Sequence, residues 1–352
     1  MLELIAVGDI SLASPEGCDP FEGVARYLRA GDIVFGNLET SLCDPGAETE
    51  KEIVLRASPG MAAYLHQAGF TILSVANNHA LDLGPAGLSQ TLATLLQHDI
   101  RFVGAGSRLS ARQQEIVERK GLAVGFLGYY EAGRTYSLYH DFVHCIDGDA
   151  ILKQLQSLRQ QCSAAVVSLH WGIEYAHYPS PAQIELAHAL IERGATLVLG
   201  HHPLVVQGIE RYKSGLIAYS LGSFQFKPKR EEARRSFILR IGIGAQGVER
   251  YKLIPVRIDE ENRPRMVRSE ARRETLRFVE QLSEPVRQGR VTERWWFEQA
   301  SGVYLRRNLQ AWVARIRKYG LRHLIQFLGW LTSRFTIKCY LGVLRSQVRL
   351  HG

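Results

Sequence analysis

The chain carries no acidic residue from Gln299 to Gly352, and that absence locates its charge. The same stretch holds ten basic residues: Arg306, Arg307, Arg315, Arg317, Lys318, Arg322, Arg334, Lys338, Arg345 and Arg349. Taking these ten from the 43 Lys and Arg of the 352-residue chain leaves 33, against 35 Asp and Glu, so the body is nearly neutral and the formal charge of +8 belongs to the tail. The tail shows no recognised nucleic-acid fold signature, so nucleic acid is not an expected partner. It also lacks a charge-free run of about 20 residues, because Arg322, Arg334 and Lys338 interrupt it, and a membrane-spanning helix is not expected. Met1 to Asp9 lacks the basic region and apolar run of a secretion signal and reads at once as a buried strand. Five cysteines, at 18, 43, 145, 162 and 339, form no CxxC pair and no regular framework, as expected of reduced thiols in a cytoplasmic protein. No internal repeat or low-complexity segment is evident.

What is present is enough apolar material, 46% of the chain, for one large domain with an appendage. Short apolar runs alternate with helical stretches, which predicts an α/β fold. Strands are expected at 4–7, 33–35, 72–75, 102–103, 123–127, 165–169, 196–199, 216–219 and 236–243, and helices near 21–30, 59–68, 85–97, 150–161 and 181–193. The last helix is the best marked: Ser180 and Gln183 form a capping box, Pro181 suits the first position and Gly194 the stop. Ile184, Ala187, Leu190 and Ile191 share one face of it. The organisation expected is a main domain over 1–250, a helical extension over 251–298 and a basic amphipathic helical tail over 299–352. Two readings of the tail stay open. It caps the domain with its arginines in water, or it lies on an anionic membrane surface.

Five strand-like runs end in polar residues suited to metal. Ala6-Val7-Gly8 leads to Asp9, and Ile33 to Gly36 leads to Asn37 and Glu39. Ile72 to Ala76 leads to Asn77, Asn78 and His79, Val166 to Leu169 leads to His170, and Leu197 to Gly200 leads to His201 and His202. Ligands of α/β sheets gather outside the carboxyl ends of strands, so five such ends can share one pocket. Carboxylate, amide and imidazole donors together suit divalent Mn, Fe or Zn better than the all-oxygen shell of Ca. Singly, each residue reads as a turn, a cap or a hydrogen-bonded histidine. Together, in this order, they predict one site.

These residues resemble the CapA capsule-synthesis (poly-γ-glutamate) family, a branch of the calcineurin-like metallophosphoesterases. The resemblance rests on Gly8-Asp9-Ile10, Gly36-Asn37-Leu38-Glu39-Thr40, Ala76-Asn77-Asn78-His79-Ala80-Leu81-Asp82-Leu83-Gly84, Ser168-Leu169-His170-Trp171-Gly172-Ile173-Glu174-Tyr175, Gly200-His201-His202-Pro203 and Tyr219-Ser220-Leu221-Gly222-Ser223-Phe224, and covers about residues 1–245. It implies a metallophosphatase-like four-layer αββα sandwich. It also implies Asp9, Asn78, His170 and His202 as metal ligands, and His79 as proton donor to the leaving group. Asn37 stands where a bridging aspartate is usual, with Glu39 supplying the missing negative charge and Asp82 as partner to His79. The sequence departs from the pattern at Ser11 and Leu204, where histidines are common, and His201 is the residue that could take over part of that role.

Trp171, Glu174, Tyr175 and Gln183 are expected either as a substrate rim beside His170 or as partly buried aromatics, a turn acid and a helix residue. The function expected is a metal-dependent hydrolase of phosphoester or γ-glutamyl-type bonds in cell-envelope polymer metabolism. The alternative is a non-catalytic component that binds an anionic polymer and docks, through 299–352, on a membrane complex at the inner face of the membrane.

Overall fold

The computed structural model describes residues 1–14, 17–46, 53–105, 114–132, 139–320 and 323–351. Leu321 and Arg322 of the tail, and the side chains of Lys318 and Arg349, fall outside these. Two mixed sheets lie face to face. One has eight strands in the order Pro264–Met266, Gly247–Ile258, Arg235–Gly244, Leu2–Ile10, Ile33–Leu38, Ile72–Ser74 and Arg101–Val103, with Ser223–Gln225 added beside Leu2–Ile10. The other has six, in the order Ile209–Tyr212, Gly215–Ala218, Leu197–His201, Ala164–His170, Leu122–Tyr130 and Glu115–Arg119.

Alternation along each strand divides the core into layers. On the first strand Leu4 and Ala6 point between the sheets, together with Phe35, Phe126, Val166 and Leu199. Ile5 and Val7 point outward onto a helical layer carrying Leu28, Leu65, Leu88 and Leu95. The second sheet turns Leu127, Val167, Leu169 and Val198 outward onto Ile151, Leu155, Ala187 and Leu190. Helix, sheet, sheet and helix make the four layers expected.

All nine expected strands form, and helix Pro181–Glu192 carries the complete capping box at Ser180 and Gln183. The helical extension expected over 251–298 is helical only in its later part. Gly247–Ile258 is a twelve-residue strand, joined to Arg235–Gly244 by a tight hairpin that pairs Gly244 with Gly247. Its Glu249, Arg250 and Lys252 stand on or near the surface, breaking the apolar run by which a strand is read. Helix begins only at Ser269–Arg287.

The tail forms helices Glu293–Tyr319, Leu324–Leu331 and Arg334–His351. Trp296, Phe297, Ala300 and Cys339 bury against the second sheet's helical layer. At the crossing, a Cβ on Gly342 would stand 2.5 Å from the Phe297 carbonyl oxygen, so the two longer helices touch backbone to backbone. The outer side is different: Ile325 is 80% exposed and Leu344 59%. Among the described residues no helix is long and apolar enough to cross a membrane. All five cysteines are free thiols.

Candidate metal centre

Register brings the polar strand ends to one level. In the first sheet Asp9 pairs with Asn37 and Asn37 with Ser74; in the second His170 pairs with His201. The pairing of the first strand slips between Ala6 and Asp9, a bulge that re-aims the strand end. Gly8 is required there because a Cβ would lie 1.8 Å from the Gly222 carbonyl oxygen, the group that accepts the Asp9 N–H at 2.9 Å. Gly200 plays the matching part in the second sheet, where a Cβ would lie 1.9 Å from Tyr219 O.

Four donor groups converge. His170 Nε2 lies 2.7 Å from Asn78 Oδ1, 3.1 Å from His202 Nδ1 and 3.8 Å from Glu39 Oε1. One ligand atom from each of Glu39, His170 and His202 fits within 4.8 Å of the others. Two imidazole nitrogens, a carboxylate and an amide oxygen aimed at one point are the donor chemistry of a divalent transition metal, so the residues fit such an ion. Burial, reinforced by His202, His201 and His79, holds the His170 pKa well below the ordinary histidine range. Burial also lowers His202, against the opposing charge of Glu174. Both shifts favour the neutral ring, the form that ligates.

His79 stands beside this group, its Nε2 3.9 Å from Glu39 Oε1 and its Nδ1 2.6 Å from Asp82 Oδ2. The fully buried Asp82 also accepts the Leu55 N–H at 2.7 Å, which fixes the carboxylate behind the ring. Asn77 ties the loop down: its amide donates to Leu38 O at 2.7 Å, and its Oδ1 accepts the His79 N–H at 3.1 Å. His202 has φ of 95°, Leu204 63° and Tyr175 64°, so left-handed backbone clusters at the rim. The site opens into a cavity of about 520 Å³.

The chain matches the family described as bacterial capsule synthesis protein PGA_cap over residues 3–228. It belongs to that family. It is similar to the capsule biosynthesis protein CapA of Bacillus anthracis, 30% identical over 279 residues that cover 74% of this chain and 68% of that one. The PGA biosynthesis protein CapA of Bacillus subtilis (strain 168) is 30% identical over 269 residues, 72% of this chain and 71% of the relative. Among solved structures, a phosphatase from Mycoplasma pneumoniae shares the fold at a TM-score of 0.51 and 10% identity, with 73% of this chain and 93% of that chain covered.

In this PGA_cap protein the expected residues divide. Glu39, Asn78, His79, His170 and His202 come together. Asp9 and Asn37 form a layer beneath them: Asn37 Nδ2 donates to Asp9 Oδ1 at 2.9 Å, and Asp9 Oδ2 accepts the His202 N–H at 3.2 Å. His201 is a correction. It follows Leu197 and Leu199 onto the face between the sheets, fully buried, with Nδ1 3.3 Å from Asp9 Oδ1 and its ring 6.1 Å from that of Phe35. Ser11 and Leu204 line the cavity, so both missing histidines vacate its wall.

Of the expected rim, Glu174 and Tyr175 line the cavity and two residues do not. Trp171 is 2% exposed and donates from Nε1 to Tyr219 O at 3.1 Å, so it is a core residue. Gln183 spends its Oε1 on the Ser180 N–H at 2.9 Å, closing the capping box. Lys227, Lys229 and Arg230 line the cavity as well, and the signal for them is local, since Lys227-Pro228-Lys229-Arg230 follows directly on Phe226 after the Leu221-Gly222-Ser223-Phe224 motif. Arg307 reaches the same cavity from the tail and pairs with Glu174.

Proposed function

We propose that this PGA_cap protein is a metal-dependent hydrolase acting on phosphoester or γ-glutamyl-type bonds in cell-envelope polymer metabolism. The observation that carries the reading is the convergence of Glu39, Asn78, His170 and His202 beside a histidine backed by a buried carboxylate. One divalent ion, Mn, Fe or Zn, is the expected load, held by those four residues. A second ion, the other load the sequence allows, would lack imidazoles at Ser11 and Leu204, which line the same cavity. When bound, the ion supplies Lewis acidity toward a substrate oxygen.

The remaining chemistry belongs to the side chains. Asp82 Oδ2 accepts from His79 Nδ1 and fixes the ring with Nε2 directed at the site, where it would hand a proton to a departing oxygen or nitrogen. Asp9 and Asn37 fix the floor, and the His202 N–H bond to Asp9 holds that ring in place. The names of the Bacillus relatives, capsule biosynthesis and PGA biosynthesis, support an anionic polymer as the substrate or partner.

A second reading rests on the tail. Ile325 and Leu328 are exposed on the uncharged helix Leu324–Leu331, and Leu341 and Leu344 on Arg334–His351, which carries Arg and Lys and no acid, as suits docking on an anionic membrane at its inner face. The inner half of the tail meanwhile caps the domain, so the two readings describe its two sides. The hydrolase reading is tested by incubating metal-loaded protein with bis(p-nitrophenyl) phosphate and γ-glutamyl-p-nitroanilide. Turnover lost in His79→Ala with metal retained supports it. No turnover of either class by the loaded protein favours the docking component.

A further inference from the structure

Helix Glu293–Tyr319 reaches the cavity by a regular path. Trp296 is anchored by its Nε1, which donates to Tyr178 O at 3.0 Å, and Ala300 is buried against the domain. Val303 then packs on Tyr175, Val205 and Ala233. Arg307 and Gln310 follow at the cavity. The spacing 296, 300, 303, 307, 310 is one helical face, so the contacts that dock the helix also deliver Arg307. Arg307 pairs there with Glu174 across the join between tail and domain.

The charge at this end of the cavity is uneven. Lys227 and Lys229 are exposed and make no ion pair among the described residues, while Arg230 lies over the Tyr175 ring, 4.1 Å from guanidinium to centroid. The cavity thus presents four cations, of which Arg307 is matched to Glu174 and Arg230 to Glu232, 3.4 Å away, while Lys227 and Lys229 are not matched among the described residues. A substrate with a single charged group at the metal would leave these cations unused.

We infer that the C-terminal helix is part of the substrate site: Arg307, with the Lys227–Arg230 loop, grips a second anionic group of an extended substrate, and Glu174 holds the guanidinium in place until that group arrives. The inference rests on the hydrolase reading for the position of the first group, but the clamp binds whether or not the bond is cut. Arg307 suits the part because its fork can donate two parallel hydrogen bonds to a carboxylate or phosphate, and the bond it donates from Nη2 to Glu174 Oε1 can be exchanged for these.

The test is calorimetric titration of full-length, metal-loaded protein with two probes, inorganic phosphate and a tri-γ-glutamate peptide, for wild type, Arg307→Ala, Arg307→Lys and Glu174→Gln. Arg307 is partly exposed, so Arg307→Ala should fold, and a thermal melt confirms it. The expected result is an oligomer affinity about tenfold weaker in Arg307→Ala, partly recovered in Arg307→Lys and strengthened in Glu174→Gln, with phosphate unchanged within twofold. Equal loss for both probes, or no loss for the oligomer, overturns the clamp. Repeating the oligomer titration after chelation separates the two ideas. A clamp that survives without metal leaves this inference standing even where the loaded protein shows no turnover.

Discussion

His79 Nδ1 and Asp82 Oδ2 stand 2.6 Å apart, the carboxylate wholly buried and the ring at the mouth of the metal group. The three-residue spacing lies in the turn that precedes helix Gly84–Gln97, so one short loop carries both members. Asp82→Asn preserves shape and the Leu55 N–H bond but replaces the carboxylate that accepts from His79 Nδ1 by an amide. The expected outcome is a fall in kcat of about 10²-fold or more with metal content unchanged. Turnover of a chromogenic ester beside elemental analysis of the same sample checks it.

Restoring the two absent histidines should restore a second ion. Ser11 and Leu204 line one cavity, and Ser11 directly follows strand Leu2–Ile10, which carries Asp9. The double variant Ser11→His, Leu204→His is expected to raise metal from about one to about two equivalents per chain. A stoichiometry that stays at one would mean that the Asp9 and Asn37 layer cannot open to a ligand position.

Much of the site was legible because polar residues at strand ends stand out against apolar runs. Asp9, Glu39, Asn78, His79, His170 and His202 needed only that contrast and the rule about carboxyl ends. Position beside a motif is a poorer guide to direction, as Trp171 shows by turning into the core. Period-two alternation does carry direction. Counting back from His201 through Leu199 to Leu197 places that ring between the sheets. Gln183 had its structural task written in the same capping box that marked the helix. Arg307 was not legible, since 133 residues separate it from Glu174 and only the docking of the helix joins them. Strand Gly247–Ile258 escaped for another reason: with Arg250 and Lys252 in it, its pattern is neither alternating nor apolar.

The correction at Gln183 has its own test. Ser180→Ala removes the cap acceptor of the Gln183 N–H and is expected to cost about 1 kcal/mol of stability. Gln183→Ala should likewise lower Tm, with probe binding unchanged in both. A Gln183 variant that kept its Tm but lost affinity for the probes would return this residue to the rim.

Acid stability should depend on the first strand. Burial pushes the Glu3 pKa up, but Arg240 at 2.7 Å and Arg250 at 2.5 Å outweigh it and hold the group below the ordinary glutamate range. A depressed carboxyl stabilises the fold above its unfolded pKa and loses that contribution as pH falls through the folded value. Glu3→Gln is expected to lose up to about 1 kcal/mol near neutrality and nothing at the acid end, since the arginines are partly exposed. Chemical denaturation from pH 7 down to pH 3 measures the converging curves.

The most direct measurement of the central claim is the metal content of the purified full-length protein, beside His170→Ala and His202→Ala variants of confirmed fold. The account predicts about one equivalent of Mn, Fe or Zn, lost in both variants. Near-zero metal after reconstitution, or metal retained when either imidazole is removed, would contradict it.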